Sequence, residues 1–452
     1  MDKKYLKELL KIIPGGSHTY SRGYDQFPFN APKILERASG AYVYTLNGKK
    51  YLDYGMGLRS VNLGYGEKSI INEVIKNIRK GNNLTLPSKI ELDAAKLIVK
   101  LIKSAEMVKF AKNGSTAVTA GIKLARAYTG NEKILICKDH PFFSYDDWFI
   151  SSTPVQKGIP KKIKRDIIGF KYNRIDEIKR KIKKYKGKIA AIILEPSHHE
   201  CPLKKPITEL CCGEYNCKYL KKTNFLQEVQ RLCKKQKIVF ILDEMITGFR
   251  WNIHGAQHLY NVDPDLSTFG KAMANGFSIS ALTGKRKIMK LGSIEKKGDE
   301  RVFLISSTFG AEMSSLAAFL ATMKFINKNK VISKNWSYGK KLKQIFNQEA
   351  KKLNIKNFIY MAGINCSPYF VCKDKFGKVS LKFRTLFMQE MLKSRVLFTN
   401  YLSISYSHKV KELLITKKAI QKSMLIYKKA LMNGVDKYLV GPSIKPVFRK
   451  YN

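Results

Sequence analysis

Short, unbroken apolar runs punctuate the middle of this chain, and between them apolar positions recur at helical spacing. Lys133-Ile-Leu-Ile-Cys-Lys138, Ala190-Ala-Ile-Ile-Leu-Glu195 and Lys237-Ile-Val-Phe-Ile-Leu-Asp243 are such runs. Strands that are apolar on both faces belong to a parallel sheet covered by helices on each side. Residues 116–128 and 224–235 read as helices of that kind. From about residue 84 to 327 the pattern is therefore an α/β domain of alternating strands and helices.

The two ends read differently. The first 13 residues are apolar at helical spacing but broken throughout by charge. Residues 41–53 alternate as a hairpin, with Asn47-Gly48 at the turn. After about Val331 helical patterns dominate, with strand-like pieces such as residues 394–399. Three segments follow: an N-terminal arm and small-domain segment (1–83), a large α/β domain (84–327), and a smaller C-terminal α+β domain (328–452) that packs with the arm. A length of 452 residues suits this division.

Composition changes the picture in one respect. The formal net charge is +49, which raises the question of a nucleic-acid or anionic-membrane partner. The lysines lie along the whole length, however. Runs such as Lys161-Lys-Ile-Lys-Arg165 and Lys179-Arg-Lys-Ile-Lys-Lys184 alternate with apolar residues, as exposed helix faces do. No basic motif with interleaved aromatics stands out, so no nucleic-acid partner is expected. Such a field would still help to recruit anionic small molecules. The longest apolar runs, such as Leu316-Ala-Ala-Phe-Leu-Ala-Thr-Met323, are too short to span a bilayer. No signal peptide is read at the N-terminus, and a cytoplasmic protein without a membrane partner is expected. Eight cysteines in this length do not make a disulfide scaffold. Four of them, Cys201, Cys211, Cys212 and Cys217, cluster without paired C-x-x-C knuckles. Both a structural zinc site and a loop of free thiols stay open there.

The chemistry centres on Lys271. Asp265-Leu-Ser-Thr-Phe-Gly-Lys271-Ala-Met-Ala-Asn-Gly276 places one lysine after a small polar run and before a glycine-bearing turn. Upstream, an apolar run ends abruptly in Asp243-Glu244. In open α/β sheets ligands sit beyond the carboxyl ends of the strands. A carboxylate that ends a buried strand is costly unless paired, and a protonated pyridine nitrogen is a suitable partner. A desolvated lysine amine can hold an aldehyde as a Schiff base. Together these are the layout of a pyridoxal 5'-phosphate (PLP) enzyme. Lys112-Asn-Gly-Ser-Thr-Ala117 opens a helix, where Gly114 admits an anion closely and Ser115 and Thr116 offer donors. Taken singly, that segment is an ordinary helix cap, and Asp243 could equally be bonded to loop amides.

In order and spacing, several segments resemble the class III aminotransferases of PLP fold type I, above all the glutamate-1-semialdehyde 2,1-aminomutase branch. They are Ile13-Pro-Gly-Gly-Ser17, Gly40-Ala-Tyr-Val-Tyr44, Ile122-Lys-Leu-Ala-Arg-Ala-Tyr-Thr-Gly130, Leu194-Glu-Pro196, Asp243-Glu-Met-Ile-Thr-Gly-Phe-Arg250, Gly255-Ala-Gln257, Ser267-Thr-Phe-Gly-Lys271 and Ser307-Thr-Phe-Gly310. The resemblance implies an α/β fold with a mostly parallel seven-stranded central sheet in a large domain, a smaller α+β domain, and PLP as cofactor. It implies that Lys271 is the Schiff-base lysine and proton shuttle, and that Asp243 pairs with the ring nitrogen. Gly114 and Ser115 would hold the phosphate, and Glu195 would lie near the site. Thr308 would reach the phosphate of the neighbouring subunit, which makes a homodimer with shared active sites. Arg22 falls where the aminomutase branch keeps an arginine for the substrate carboxylate.

The departures concern the substrate side. The usual phosphate loop has a Ser-Gly-Thr-Glu core, whereas this chain has Asn113-Gly-Ser-Thr116. The ring-stacking aromatic normally belongs to Tyr-His-Gly. Here the region is Asp139-His-Pro-Phe-Phe-Ser-Tyr-Asp-Asp-Trp148, with Phe142 as the choice and His140 as its rival. A tryptophan-containing substrate loop is replaced by Gly57-Leu-Arg-Ser60, which adds Arg59 as a second candidate for an anionic substrate, or alternatively as a salt-bridge residue. Glu312 stands where asparagine is common. The expected function is amino transfer between an amino donor and a small, anionic carbonyl substrate, with a sugar or sugar acid among the options. The alternative is intramolecular amine transfer of the glutamate-1-semialdehyde aminomutase type. Racemase or decarboxylase chemistry is more distant, as is a basic nucleic-acid-binding protein on an inactive transaminase fold.

Overall fold

Asn47-Gly48 makes the turn that the alternation predicts. In the computed structural model, which describes residues 2–140, 142–197, 200–202, 223–295, 297–399 and 401–452, Gly48 takes φ +74° there. Strand β1 (Arg37–Ser39) pairs antiparallel with β2 (Tyr42–Tyr44), and β2 with β3 (Lys50–Asp53). The turn is closed by Gly48 N–H to Thr45 O (2.9 Å) and Thr45 N–H to Lys49 O (3.0 Å). On its other edge β3 takes a parallel partner from the far end of the chain, Val396–Leu397. The strand expected over 394–399 is only these two residues, because Arg395 before them adopts φ +57°.

This sheet belongs to a unit made of residues 1–67 and 333–449. Its core gathers Leu52 and Tyr54 from the N-terminal part with Phe346, Phe370, Phe387 and Phe398 from the C-terminal part. The Tyr54 hydroxyl is satisfied at both ends, by Tyr338 (2.6 Å) and Thr416 (2.7 Å).

Residues 68–332, with 450–452, form the second unit. Its seven strands are β4 (Met107–Ala111), β5 (Lys133–Cys137), β6 (Ile167–Phe170), β7 (Ile189–Leu194), β8 (Val239–Glu244), β9 (Leu266–Phe269) and β10 (Ser280–Gly284). They lie in the order β4-β10-β9-β8-β7-β5-β6. All pairs from β6 across to β9 are parallel, and β10 alone runs against both of its neighbours. The mostly parallel seven-stranded sheet is therefore as expected. Every residue of β7 and β8 is buried, which is why both read as unbroken apolar runs. The helices predicted beside them span Gly114–Thr129 and Phe225–Gln236. Asn113 and Asn224 cap their N-termini, and left-handed Gly130 and Lys237 end them.

The unit boundaries fall after Glu67 and Ile332 rather than after residues 83 and 327. The helix Lys68–Ile78 buries Ile70 and Val74 and packs on the helix Met313–Lys328, so it goes with the large sheet. Of the two basic runs, 179–184 lies on a helix (Ile175–Lys184) with Ile175, Ile178 and Ile182 turned inward, whereas 161–165 runs into a short 3-10 turn. Among the described residues no helix is long and apolar enough to cross a membrane. Cys211, Cys212 and Cys217 lie outside the described residues.

Close approach makes one glycine indispensable to the first unit. A Cβ on Gly339, in the helix Val331–Lys352, would lie 1.6 Å from the backbone oxygen of Asn365. Gly339→Ala is expected to cost about 3 kcal/mol, because a backbone carbonyl cannot swing aside. Gly169→Ala, whose nearest neighbours are atoms of the flexible Lys138 side chain, should cost less than about 1 kcal/mol. Thermal or denaturant unfolding of the two variants checks the contrast, and equal losses would refute it.

Candidate active site

Parallel register brings the chemistry together. β8 and β9 pair so that Asp243 stands opposite Thr268, and Glu244 opposite Phe269. Thr268 Oγ1 donates to Asp243 Oδ1 at 2.9 Å, and the Met245 amide donates to the same oxygen at 3.0 Å. Asp243 Oδ2 accepts no hydrogen bond among the described residues. Burial pushes this carboxyl up to about 7, and the charge of Glu195 adds to the rise. The Met245 amide, the positive charge of Lys271 and the Thr268 hydroxyl pull it back.

Glu244, its neighbour, is equally buried but saturated. It accepts from the amides of Ala256 (2.6 Å) and Gln257 (2.9 Å), from Gln257 Nε2 (3.2 Å) and from Thr247 Oγ1 (2.8 Å). One carboxylate thus holds the loop to the helix Ala256–Tyr260, and the other keeps an oxygen for a ligand.

Lys271 lies two residues past the end of β9, on the same side of the sheet as the end of β8. It adopts φ +40° and begins the short turn Lys271–Ala274, with Asn275 at φ +46° after it. Left-handed backbone at a non-glycine residue costs of order 1 kcal/mol and concentrates at functional sites. The sulfur of Met245 is wedged between this turn and the phosphate loop. A Cβ on Gly270 would meet it at 2.7 Å, and one on Gly114 at 2.9 Å.

Gly114 opens a 16-residue helix whose first-turn amides have no acceptor within the helix, apart from Thr116, whose amide donates to Asn113 Oδ1 at 3.0 Å. Ser115 is buried, and its Oγ accepts from the Tyr145 amide at 3.1 Å, which leaves its own hydrogen to donate. The segment after Phe142 is pinned to the same helix. Thr119 bonds Asp146, Ser144 bonds Asp146 at 3.0 Å, and Trp148 Nε1 donates to Thr119 at 2.8 Å. Phe142 is 44% exposed and meets Phe149 edge-on at 5.8 Å. His140 is buried between Phe143 and Tyr172, and its Nδ1 accepts from the Glu195 amide at 2.8 Å, so its proton sits on Nε2. Of the two stacking candidates, Phe142 is the more exposed. Glu195 is buried immediately past β7. Thr308 is exposed in a turn just before the helix Met313–Lys328.

Arg22 and Arg59 belong to the first unit. Arg22 is exposed at the end of a 3-10 turn. Arg59 is buried, its guanidinium 4.3 Å over the ring of Tyr401. It ends a run of four left-handed residues: Met56 (φ +43°), Gly57 (+59°), Leu58 (+58°) and Arg59 (+72°). Asp53 holds the entry to this run by accepting from the amides of Gly55 (2.7 Å) and Met56 (3.0 Å) and from the Tyr65 hydroxyl (2.6 Å).

The donor set in the second unit suits PLP. An open carboxylate oxygen faces the need of a ring N–H, a lysine amine stands beside it, and a helix N-terminus with a serine hydroxyl suits a phosphate. The aminotransferase class-III family profile matches residues 19–420. The chain belongs to the class III aminotransferases. It is 30% identical to the 3-aminobutyryl-CoA aminotransferase of Cloacimonas acidaminovorans (strain Evry), over 94% of this chain and 97% of that one. It is 31% identical to the glutamate-1-semialdehyde 2,1-aminomutase of Wigglesworthia glossinidia brevipalpis, over 91% and 94%. In fold it is similar to the FumI protein of Sphingopyxis sp. MTA144, solved in its PLP internal aldimine form (TM-score 0.82, 23% identity, 96% of this chain and 97% of that one). It is also similar to a glutamate-1-semialdehyde aminomutase of Pseudomonas aeruginosa PAO1 (TM-score 0.77, 14% identity, 94% of each). This member of the family is thus a PLP-dependent enzyme of fold type I.

Residue-by-residue reading of the sequence missed Thr268, Met245 and the Thr119–Asp146–Trp148 group. Thr268 carries a legible signal, a hydroxyl within a buried strand three residues before the lysine. The other two depend on packing between distant segments.

The raised Asp243 carboxyl has a consequence for the cofactor-free protein. Between the ordinary carboxylate range and about pH 7, the folded chain keeps a proton that the unfolded chain releases. Stability therefore falls as pH rises through that window, by up to roughly 1.4 kcal/mol for each pH unit crossed. Asp243→Asn removes this loss. Its melting temperature without PLP should gain on that of the parent from pH 5 to pH 8. A difference that does not change with pH would sink the assignment.

Proposed function

We propose that this class III enzyme moves an amino group between an amino donor and a small anionic carbonyl substrate. The observation that carries the reading is the buried Asp243, with Oδ1 satisfied and Oδ2 open, in the field of Lys271. PLP, when bound, supplies an electrophilic carbon and a ring that accepts electron density from the reacting bond. Asp243 Oδ2 holds the proton at the ring nitrogen, while Thr268 and the Met245 amide keep the carboxylate from turning away. Lys271 Nζ anchors the cofactor and carries the proton to and from the substrate carbon. Ser115 and the first amides of the Gly114–Thr129 helix hold the phosphate, with Thr308 of the partner subunit completing the cradle in a homodimer. The exposure of Thr308 in its turn supports that role. Phe142 covers the ring, and Glu195 bounds the site beside Asp243.

On the substrate side Arg22 and Arg59 bind the anionic group. The Tyr401 ring beneath the Arg59 guanidinium restricts its orientation, and the planar fork suits bidentate carboxylate binding. The strained run that ends at Arg59 supports a functional rather than a surface role. A sugar acid is one substrate that meets these demands. The reading includes a cytoplasmic location. Intramolecular amine transfer is the second reading, favoured by the 31% identical aminomutase that aligns over 94% of its length.

The deciding experiment mixes holoenzyme with single candidate amines and follows conversion of the cofactor to its pyridoxamine form. A released carbonyl product supports transfer between two substrates. An isomerised product with no release would replace that reading with the aminomutase. If no amine converts the cofactor, the amino-transfer reading is lost, and salt-dependent binding of nucleic acid would then favour the nucleic-acid alternative.

Lys271→Ala should abolish turnover without lowering the melting temperature of the PLP-free protein. Asp243→Asn should retain PLP but turn over about a thousandfold more slowly. Arg22→Ala and Arg59→Ala should each raise KM for the true substrate by about ten- to a hundredfold and leave the cofactor spectrum unchanged. Lysine at either position should rescue only in part, because it lacks the guanidinium fork. Unchanged KM in both alanine variants would remove the anionic-substrate claim.

A further inference from the structure

The phosphate loop is fastened by side chains that the chemistry above does not use. Lys112, one residue before the cap Asn113, is ion-paired with Glu312, and its Nζ also donates to Ser315 Oγ at 3.0 Å. Ser315 Oγ donates to Ser278 O at 2.9 Å, and Ser278 Oγ donates back to Lys112 O at 2.7 Å. Beside this closed ring, Ser280 Oγ donates to Asn113 O at 2.7 Å. Asn82 ties the outer end. Its Nδ2 donates to Glu312 Oε1 at 3.3 Å, and it caps the helix Met313–Lys328 by accepting from the amides of Met313 (2.9 Å) and Ser314 (3.0 Å). The ring joins three segments far apart in sequence. They are the phosphate loop, the stretch that follows the Lys271 turn, and the helix that begins just after the Thr308 turn. Each charged side chain is about one-fifth exposed, so the pair is shielded enough to hold a geometry.

We infer that Lys112 and Glu312 act as a positioning clamp that holds the phosphate loop, the Lys271 segment and the Thr308 turn in register, and so determine how tightly this protein keeps a phosphorylated cofactor. The inference rests on the reading of Gly114 and Ser115 as the phosphate cradle. The clamp acts on geometry and not as a source of positive field, because Glu312 neutralises the lysine. A field effect would have the opposite sign at Glu312, since removing that negative charge would then tighten phosphate binding.

The test titrates cofactor-free protein with PLP and, separately, with pyridoxal, which lacks the phosphate. Lys112→Met and Glu312→Gln should each weaken PLP binding about tenfold and change pyridoxal binding less than about twofold. The double variant should be no worse than the weaker single variant, because each change removes the same contact. The exchanged pair, Lys112→Glu with Glu312→Lys, should recover PLP affinity to within about threefold of the parent, which keeps the test valid if a single variant folds poorly. Ser115→Ala is the control for the underlying reading. If it leaves the preference for PLP over pyridoxal intact, the cradle assignment fails and the clamp with it. If it lowers that preference while Glu312→Gln does not, the clamp alone fails. Tighter PLP binding by Glu312→Gln would also overturn it, in favour of a field effect.

Discussion

A carboxylate at the end of a fully buried parallel strand is the constraint on which the rest of the second unit depends. Removing an ionised carboxylate from water costs several kcal/mol unless bonds and charges offset it. Around Asp243 the offset is partial: two donors on one oxygen and a lysine charge favour the anion, while the like charge of Glu195 works against it. The shortfall appears as a carboxyl pushed up to about 7. A cationic ring N–H is what such a group lacks. The parallel sheet supplies the rigidity, since β8 is flanked on both sides by buried strands and cannot shift to relieve the charge.

Left-handed backbone recurs in several turns of the chain, and two of those segments hold residues proposed to act on cofactor and substrate. Lys271 leaves its strand through a left-handed residue, and Arg59 ends four of them in succession. At roughly 1–2 kcal/mol for each non-glycine residue, such conformations persist only where surrounding bonds enforce them. Asp53 does this for the Arg59 run, with three hydrogen bonds. Near Lys271 the Met245 thioether fills the space that a side chain at Gly114 or Gly270 would need.

The charge of +49 plays no comparable part. Many described ion pairs have at least one largely exposed member, such as Lys89–Asp93 and Lys382–Asp436, and pairs of that kind contribute little. Lys112–Glu312 differs because both members are mostly covered and each also bonds a neutral side chain.

By itself the sequence determined three of the seven central strands and their parallel arrangement, the two helices beside them, the hairpin turn and the family. Those features follow from periodicities of two and 3.6, from caps, and from motifs a few residues long, all of which are local. It also brought Lys271 and Asp243 forward, because a strand that stops at a carboxylate and a strand that stops near a lysine are both visible in one dimension. Which of Asp243 and Glu244 keeps an oxygen open was decided only in the folded chain. Alternation turns the two side chains to opposite faces, and whether each is saturated depends on what remote segments deliver there. The loop at Ala256 and Gln257 saturates Glu244, whereas only Thr268 and the Met245 amide reach Asp243. The same holds for Met245, for the Ser278–Ser315–Lys112–Glu312 ring and for the first unit boundary, where a helix follows the surface it can bury rather than the segment it adjoins. Long-range contacts have no period along the chain, so only the tertiary structure could assign them.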